Sequence, residues 1–209
     1  MTRVQITFRS QTPLLMNPAT DEILENLRKR ISLPRKTDQT REQEAEAKVS
    51  RDEKKRIGIK AQNLFSCLVE AGRLVKLTGK TNISTKESSL LPSFLSIEEI
   101  FLPFKGTPTW VADARRGRNP NGGEMVCIVR PRFDSWEFDA TIEFDENEVG
   151  EATVRELVKK AGSKIGLCDF RPACRGQFGK FVVANWVNLS PETASRSVAG
   201  ARNGHPVGA

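Results

Sequence analysis

The segment WEFDATIEF, residues 136–144, carries the strongest structural signal in this 209-residue sequence. Its apolar residues occupy every second position: Trp136, Phe138, Ala140, Ile142 and Phe144. Strict alternation is typical of a β-strand with one buried face. Val126 and Ile128 alternate in the same way before a turn at Asp134-Ser135. We therefore expect residues 126–132 and 136–144 to pair as an antiparallel hairpin.

Three strands and two helices are predicted around this hairpin. Residues 4–8 and 181–186 read as the first and last strands, and Ile97–Phe104 as a further short strand. One helix is predicted after Gly58 and another after residue 151, and each ends in Ala-Gly. This order predicts an α+β domain of the ferredoxin-like type, an antiparallel sheet with helices on one face. RNA-recognition domains of that fold bind single strands on the open face.

The remaining segments carry weaker signals. From Thr37 to Arg56 the only apolar residues are three small ones amid mixed charge, so we expect a solvated helix or a mobile insertion outside the core. Residues 78–123 read as a long loop rich in Ser, Thr and Lys at its start. Residues 189–209 lack periodicity and are expected to be disordered. We therefore predict one domain over residues 1–188, with an insertion over residues 17–57.

A glycine-rich run over Gly166–Phe181 is the best candidate for ligand binding. Glycine lets a backbone approach a ligand closely, basic groups attract phosphate and aromatic faces stack on bases. The candidates for contact with nucleic acid in this run are Phe170, Arg171, Arg175, Gly176, Phe178, Gly179 and Lys180.

The formal net charge of +7 agrees with a polyanionic partner. Further basic candidates lie outside the glycine-rich run. Arg115, Arg116 and Arg118 are placed in a mobile basic loop. Arg130 and Arg132 are placed on the predicted hairpin, where they would face the open side of the sheet.

The composition argues against catalysis and against a bound metal or cofactor. The chain has no tyrosine, and its one histidine, His205, lies in the tail expected to be disordered, so acid–base cleavage of RNA lacks a positioned proton carrier. Cys67, Cys127, Cys168 and Cys174 show no zinc-ligand spacing and read as free thiols. Neither a signal peptide nor a stretch of about 20 apolar residues is present, so we expect a soluble cytoplasmic protein.

The chain resembles the RAMP superfamily of RNA-binding proteins over residues 3–188. The resemblance rests on the first strand, Pro13-Leu14-Leu15-Met16, the charged insertion, the helix that begins at Gly58-Ile59-Lys60-Ala61, the hairpin and the glycine-rich run. Within that superfamily it is similar to backbone subunits of CRISPR effector complexes and to their relatives in phage genomes.

The resemblance implies a palm of ferredoxin-like fold, a thumb formed by residues 17–57, and self-association or assembly with other effector subunits along a guide RNA. Some backbone subunits cut target RNA with a thumb aspartate, for which Asp21 and Asp38 are the candidates, but a solvated surface carboxylate is the favoured interpretation of both. Asp169 is favoured as a residue that orders its loop.

Three functions remain open from the sequence. The first is a non-catalytic protein that binds single-stranded RNA. The second is a phage-encoded interaction protein that docks onto or imitates a host CRISPR complex. The third is a protein that binds or anneals single-stranded DNA, whose binding would ignore the 2′-hydroxyl.

Overall fold

The computed structural model describes residues 1–19, 21–31, 39–118, 123 and 125–189. The strands in chain order are β1 (Thr2–Ser10), β2 (Leu14–Leu15), β3 (Gly58–Lys60), β4 (Lys76–Thr78), β5 (Thr81–Asn82), β6 (Leu95–Ile97), β7 (Phe101–Pro103), β8 (Val111–Arg118), β9 (Met125–Phe133), β10 (Glu137–Phe144) and β11 (Phe181–Asn188). The α-helices are α1 (Asp21–Lys29), α2 (Arg41–Glu46), α3 (Ala61–Ala71), α4 (Leu91–Phe94) and α5 (Glu151–Lys160).

A four-stranded antiparallel sheet holds the centre of the molecule, in the order β11-β1-β10-β6. The chain passes through α3 between β1 and β6, and through α5 between β10 and β11. The alternating residues of β1 and β10 are buried, including Val4, Ile6, Phe138 and Ile142, each at 0% exposure. The alternation in residues 136–144 therefore predicted a strand and its buried face correctly.

The predicted hairpin is wrong, because β9 and β10 belong to different sheets. β10 pairs with β1 from Thr2↔Phe144 to Arg9↔Glu137. β9 instead pairs with β8 on one side and with the short β2 on the other, in a three-stranded sheet of order β2-β9-β8. Alternation defines a strand and its faces, but it does not define the strand's partner. The chain changes sheets at residues 134–136.

Residues 78–123 are not a loop. They contain β5, α4, β6, β7 and β8, and the described part of the segment that carries Arg115 and Arg116 is a regular strand. The predicted strand over Ile97–Phe104 is two short strands, β6 and β7, which pair with β10 and β3 respectively. The sequence does not predict these strands because they are short or highly charged. They therefore show neither the alternation typical of a strand nor the 3.6-residue repeat of a helix.

Part of the charged insertion joins the core, contrary to expectation. Thr40 and Gln43 form a capping box at the start of α2, which fixes the beginning of this helix. Ala45 is 0% and Val49 8% exposed. The Nζ of Lys48 donates a hydrogen bond to the Val129 carbonyl of β9 and contacts Glu44. A few small apolar residues are enough to bury one side of α2, because this helix lies directly on the three-stranded sheet β2-β9-β8, which we call the second sheet.

The repeated Ala-Gly at the helix ends has a packing role. A Cβ on Gly72 would lie 2.5 Å from Ser84 Oγ, and one on Gly162 would lie 2.2 Å from the Phe181 carbonyl oxygen. Gly162 lies in a π-helical turn, Ala161–Ile165, that continues α5. Gly72 therefore lets the end of α3 lie close to Ser84, and Gly162 lets the end of α5 lie against β11.

Candidate nucleic-acid interface

The glycine-rich run folds back on itself. Leu167 N–H donates to the Gly179 carbonyl (2.9 Å), Phe178 N–H to the Phe170 carbonyl (3.1 Å), and Gly179 N–H to the Pro13 carbonyl (2.7 Å). A Cβ on Gly176 would lie 1.8 Å from the Phe170 carbonyl oxygen. Gly176 and Gly179 therefore permit backbone to meet backbone within the protein, which is a different role from the close approach to a ligand that we expected.

The two phenylalanines of the run pack on each other and on β8. Phe170 and Phe178 form an edge-to-face pair with ring centres 5.8 Å apart. The Arg115 guanidinium carbon lies 5.1 Å from the Phe170 centre and 4.8 Å from the Phe178 centre. Phe178 is only 7% exposed and Phe170 is half-buried. The expectation that these rings present open faces to bases is therefore wrong for Phe178, whose ring takes part in a cation–π contact within the protein.

Carboxylates hold several of the predicted phosphate-binding arginines. Asp113 is 8% exposed and receives hydrogen bonds from both Arg115 and Arg132. The hydrogen bond from Arg115, and then that from Arg132, keeps the pKa of Asp113 below its ordinary value. Arg115 and Arg132 therefore form ion pairs with Asp113 within the three-stranded sheet. They do not lie on the open face of the four-stranded sheet.

Asp169 links the glycine-rich run to the second sheet. Its Oδ2 lies 2.7 Å from Arg130 Nε in an ion pair whose N–H is not aligned as a hydrogen bond. The same carboxylate accepts from the Asn17 side chain (3.3 Å) and from the Phe170 backbone N–H (2.8 Å), and Asp169 forms a β-bridge with Leu15. These contacts agree with the interpretation of Asp169 as a residue that orders its loop. Arg130 is buried beside it, away from the open sheet face predicted for it.

The other basic candidates differ in how free their charges are. Arg171 contacts Glu70 at 3.3 Å and donates to the Cys168 carbonyl. Arg116 and Arg175 are exposed and Lys180 is half-buried, and none of the three has an ion-pair partner in the described part of the chain. Arg175 sits in the left-handed region (φ 62°) after a short 3₁₀ turn, Pro172–Cys174. Arg118 ends β8, and its side chain lies outside the described residues.

The open face of the four-stranded sheet is unsuited to a phosphate chain. β10 presents Glu137, Asp139 and Glu143 there, opposite Arg9, Thr7 and Arg3 of β1. Lys105 bridges Glu137 (3.3 Å) and Asp139 (2.7 Å), and Arg9 lies 2.6 Å from Glu137. The basic groups on this face are already neutralised, and no aromatic ring stands among its β1 and β10 residues.

A cleft of about 540 Å³ lies between the first turns of α3, the chain after β2 and the glycine-rich run. Its polar lining consists of Asn17, Ser50, Lys60, Gln62, Asn63, Ser66, Asp169 and Arg171. Lys60 is the N-cap of α3 and makes no side-chain cap, and the Ala61 N–H of the first turn donates to the Ile100 carbonyl (2.9 Å). Lys60 and Arg171 supply positive charge here, and the carboxylate of Asp169 is paired with Arg130, so the cleft is favourable for an anionic ligand.

Of the predicted binding residues, only Arg171 lines this cleft. The sequence analysis did not predict that α3 contributes to this cleft. The polar residues Gln62, Asn63 and Ser66 beside the apolar stripe of this helix were the available signal, since side chains three or four positions apart share a helix face.

Other predicted groups are placed as follows. Asp21 begins α1, with its side chain outside the described residues, and Asp38 and His205 lie outside them altogether, as does nearly all of the tail. Within the described ranges, no three His, Cys, Asp or Glu side chains converge as metal ligands would. No described helix combines the length and apolar character needed to cross a bilayer.

The fold is similar to that of a chain in the cryo-EM structure of the Type III-B Cmr-beta bound to cognate target RNA. The TM-score is 0.51 and the sequence identity 12%, and the match covers 90% of this chain and 60% of the other. No family model matches the sequence, and no curated protein matches it. At this identity the likeness shows a shared mixed α+β fold with antiparallel sheets.

Proposed function

We propose that this protein binds single-stranded RNA without cutting it, as a relative of the backbone subunits of CRISPR effector complexes. The observation that carries the proposal is the cleft at the start of α3, which brings Lys60 and Arg171 together with amide and hydroxyl side chains. The likeness to a chain from an RNA-bound Cmr complex supports it. The strand order β11-β1-β10-β6, with helices after its first and third strands in sequence, supports a ferredoxin-like palm.

The cleft supplies two kinds of contact that RNA recognition uses. Lys60 and Arg171 attract phosphate oxygens, and such contacts position a nucleic-acid strand without reading its sequence. Asn17, Gln62 and Asn63 can both donate and accept, as a base edge or a 2′-hydroxyl requires. The open sheet face, whose charges are paired with one another, lies outside this site, so the RNA would run along the edge of the palm.

The protein acts in the cytoplasm in this proposal, with other effector subunits or further copies of itself as neighbours on the RNA. Cleavage is not part of it. Labelled RNA incubated with the protein and either Mg²⁺ or Mn²⁺ should remain intact, and cleavage lost in Asp21→Ala or Asp38→Ala would reverse this part of the proposal.

The test is binding of labelled RNA and DNA single strands of one sequence across a salt series. We expect tighter binding of RNA, because the 2′-hydroxyl adds contacts. Lys60→Glu and Arg171→Glu should each weaken binding and reduce the salt slope by about one unit per lost phosphate contact. Lys86→Glu, an exposed lysine away from the cleft, is the matched control.

Three outcomes would contradict the proposal. Equal affinity for RNA and DNA favours the protein that binds or anneals single-stranded DNA. Failure to bind either strand, with a purified protein free of nucleic acid, favours the interaction protein that docks onto a host complex. An equal loss in Lys86→Glu and Lys60→Glu would mean that net charge, and not the cleft, drives binding.

A further inference from the structure

Among the described residues, β11 is an outer strand of the four-stranded sheet and carries none of the usual protection of such an edge. Its inner side pairs with β1, and in the described part of the chain no strand pairs with its outer side. Residues 181–187 read FVVANWV, with neither a charged residue nor a proline. Open sheet edges are normally protected by charges, prolines or a covering element, because an unprotected edge recruits another strand.

An apolar groove runs beside this edge, where β11 meets α5. Its volume of about 410 Å³ is within the range of binding pockets, roughly 300–1,000 Å³. Val158 and Phe181 form buried parts of its lining, whereas Val182 and Val183 are 40% and 37% exposed. The indole N–H of Trp186, another lining residue, is covered by protein and donates to no described residue.

The charge around the groove is basic. Arg155 and Lys159 both line it, and no acidic residue does. The Arg155 guanidinium carbon lies 4.1 Å from the centre of the Trp186 ring, and Arg155 is also paired with Glu151 at 2.6 Å. Lys159 is exposed and has no ion-pair partner among the described residues. A ligand that fills the apolar groove therefore gains most if it brings carboxylates with it.

We propose that the β11 edge binds an extended segment of a partner protein in which apolar residues alternate with Asp or Glu. The segment would add a strand to the sheet, so that its backbone hydrogen-bonds with the open edge. Because alternate side chains of a strand point to opposite faces, its apolar residues enter the groove while flanking carboxylates reach Arg155 and Lys159. This site is separate from the cleft at the start of α3 and does not depend on RNA binding.

Two other occupants fit less well. A second copy pairing through its own β11 would bring Arg155 and Lys159 of both copies to one interface, where like charges repel. The chain's own residues 190–209 contain one acidic residue and two arginines, so they do not supply the alternating carboxylates. The edge strand β8 differs from β11, because it carries an aspartate and three arginines, and charges of this kind protect an open edge.

The experiment measures binding of a labelled peptide of sequence DVEVDVE to the full-length protein by fluorescence polarisation. Two further peptides serve as controls: KVRVKVR, with the charges reversed, and DVEVDVE with N-methyl groups on alternate backbone nitrogens. We expect binding only of the unmodified acidic peptide, because N-methylation removes the edge hydrogen bonds.

Two substitutions locate the site. Val183→Glu should weaken binding about tenfold or more, since it places a negative charge in the groove. Val111→Glu, at a 46% exposed valine on β8, should leave it unchanged. Absence of binding, equal binding of acidic and basic peptides, indifference to N-methylation, or an equal loss in Val111→Glu would overturn the proposal. A protein that forms dimers which Val183→Glu dissociates would also overturn it, because the occupant would then be a second copy.

Discussion

The guanidinium of Arg115 lies over the ring of Phe178, with its central carbon 4.8 Å from the ring centre. This contact joins β8 to the glycine-rich run, and the hydrogen bond from Arg115 to Asp113 fixes the orientation of the guanidinium. Arg115→Ala should lower the free energy of unfolding by about 1–2 kcal/mol, since it removes a partly buried cation–π contact and leaves Asp113 with one partner fewer.

The same substitution should increase amide hydrogen exchange in residues 166–180. Arg116→Ala is the control, because the neighbouring side chain is exposed and points to the opposite side of the strand. Equal effects of the two substitutions on exchange in the run would show that Arg115 does not hold it.

Asp113 should contribute to resistance against acid. Its pKa is lowered in the folded protein, so its stabilisation is fully present above the unfolded pKa of about 3.9 and is lost as the pH falls through the folded value. Asp113→Asn should cost about 1–3 kcal/mol at pH 7. Urea titrations at a series of pH values should show the difference from the wild-type protein shrinking below about pH 4.

Asp134→Asn is the control for Asp113→Asn. Asp134 also contacts Arg132, but its side chain is 61% exposed, so we expect a change below about 1 kcal/mol. A pH-independent cost of Asp113→Asn would mean that the side chain matters for packing and not for its charge.

Gly176 should tolerate no side chain. The Cβ of an alanine there would lie 1.8 Å from the Phe170 carbonyl oxygen, so the run would have to open. We expect Gly176→Ala to cost more than about 2 kcal/mol in thermal or urea unfolding. Gly150→Ala, at the N-cap of α5 where a Cβ meets no atom within 4 Å, should cost below about 1 kcal/mol. Similar costs at the two positions would contradict the close approach at Gly176.

The cysteines should differ sharply in reactivity. Burial raises the pKa of Cys67 to about 12, and its thiol contacts the Ala161 carbonyl at 3.6 Å, whereas Cys127 and Cys174 are exposed. At pH 8, iodoacetamide should modify Cys127 and Cys174 well before Cys67, as followed by mass spectrometry of peptides. Urea should abolish the difference. Rapid labelling of Cys67 in the folded protein would show that α3 opens from the core.

The local signals in the sequence predicted β1, β9, β10 and β11 as strands, but not β8 or the pairing of β9 with it. Residues 136–144 alternate because one of their faces is buried, and that information is local. The partner of β9 is not: β8 carries Arg115, Arg116 and Gly117, which weaken its apolar pattern, and it is recognisable only once the ladder from Val111↔Arg132 to Arg118↔Met125 has formed. The hairpin prediction is wrong because proximity in sequence does not determine which strands pair.

In the candidate site, too, local features could be predicted from the sequence and tertiary contacts could not. The run Gly166–Phe181 was identified from composition, and Arg171 does line the cleft. The ion pairs of Arg115, Arg130 and Arg132 were not predictable from the sequence, because their partners Asp113 and Asp169 reach them through tertiary contacts. A basic residue can be read from the sequence, whereas its neutralisation depends on residues far away in the chain.

The packing of α2 against the second sheet limits how the sequence of this protein can diverge during evolution. Because Ala45 is buried and Lys48 donates to the Val129 carbonyl, the segment between β2 and β3 is not an appendage that can be exchanged as a unit. Its loss would uncover β8 and β9 as well as remove α1. Grafting a segment from another protein would therefore require matched changes in β9, so insertion and sheet must evolve together.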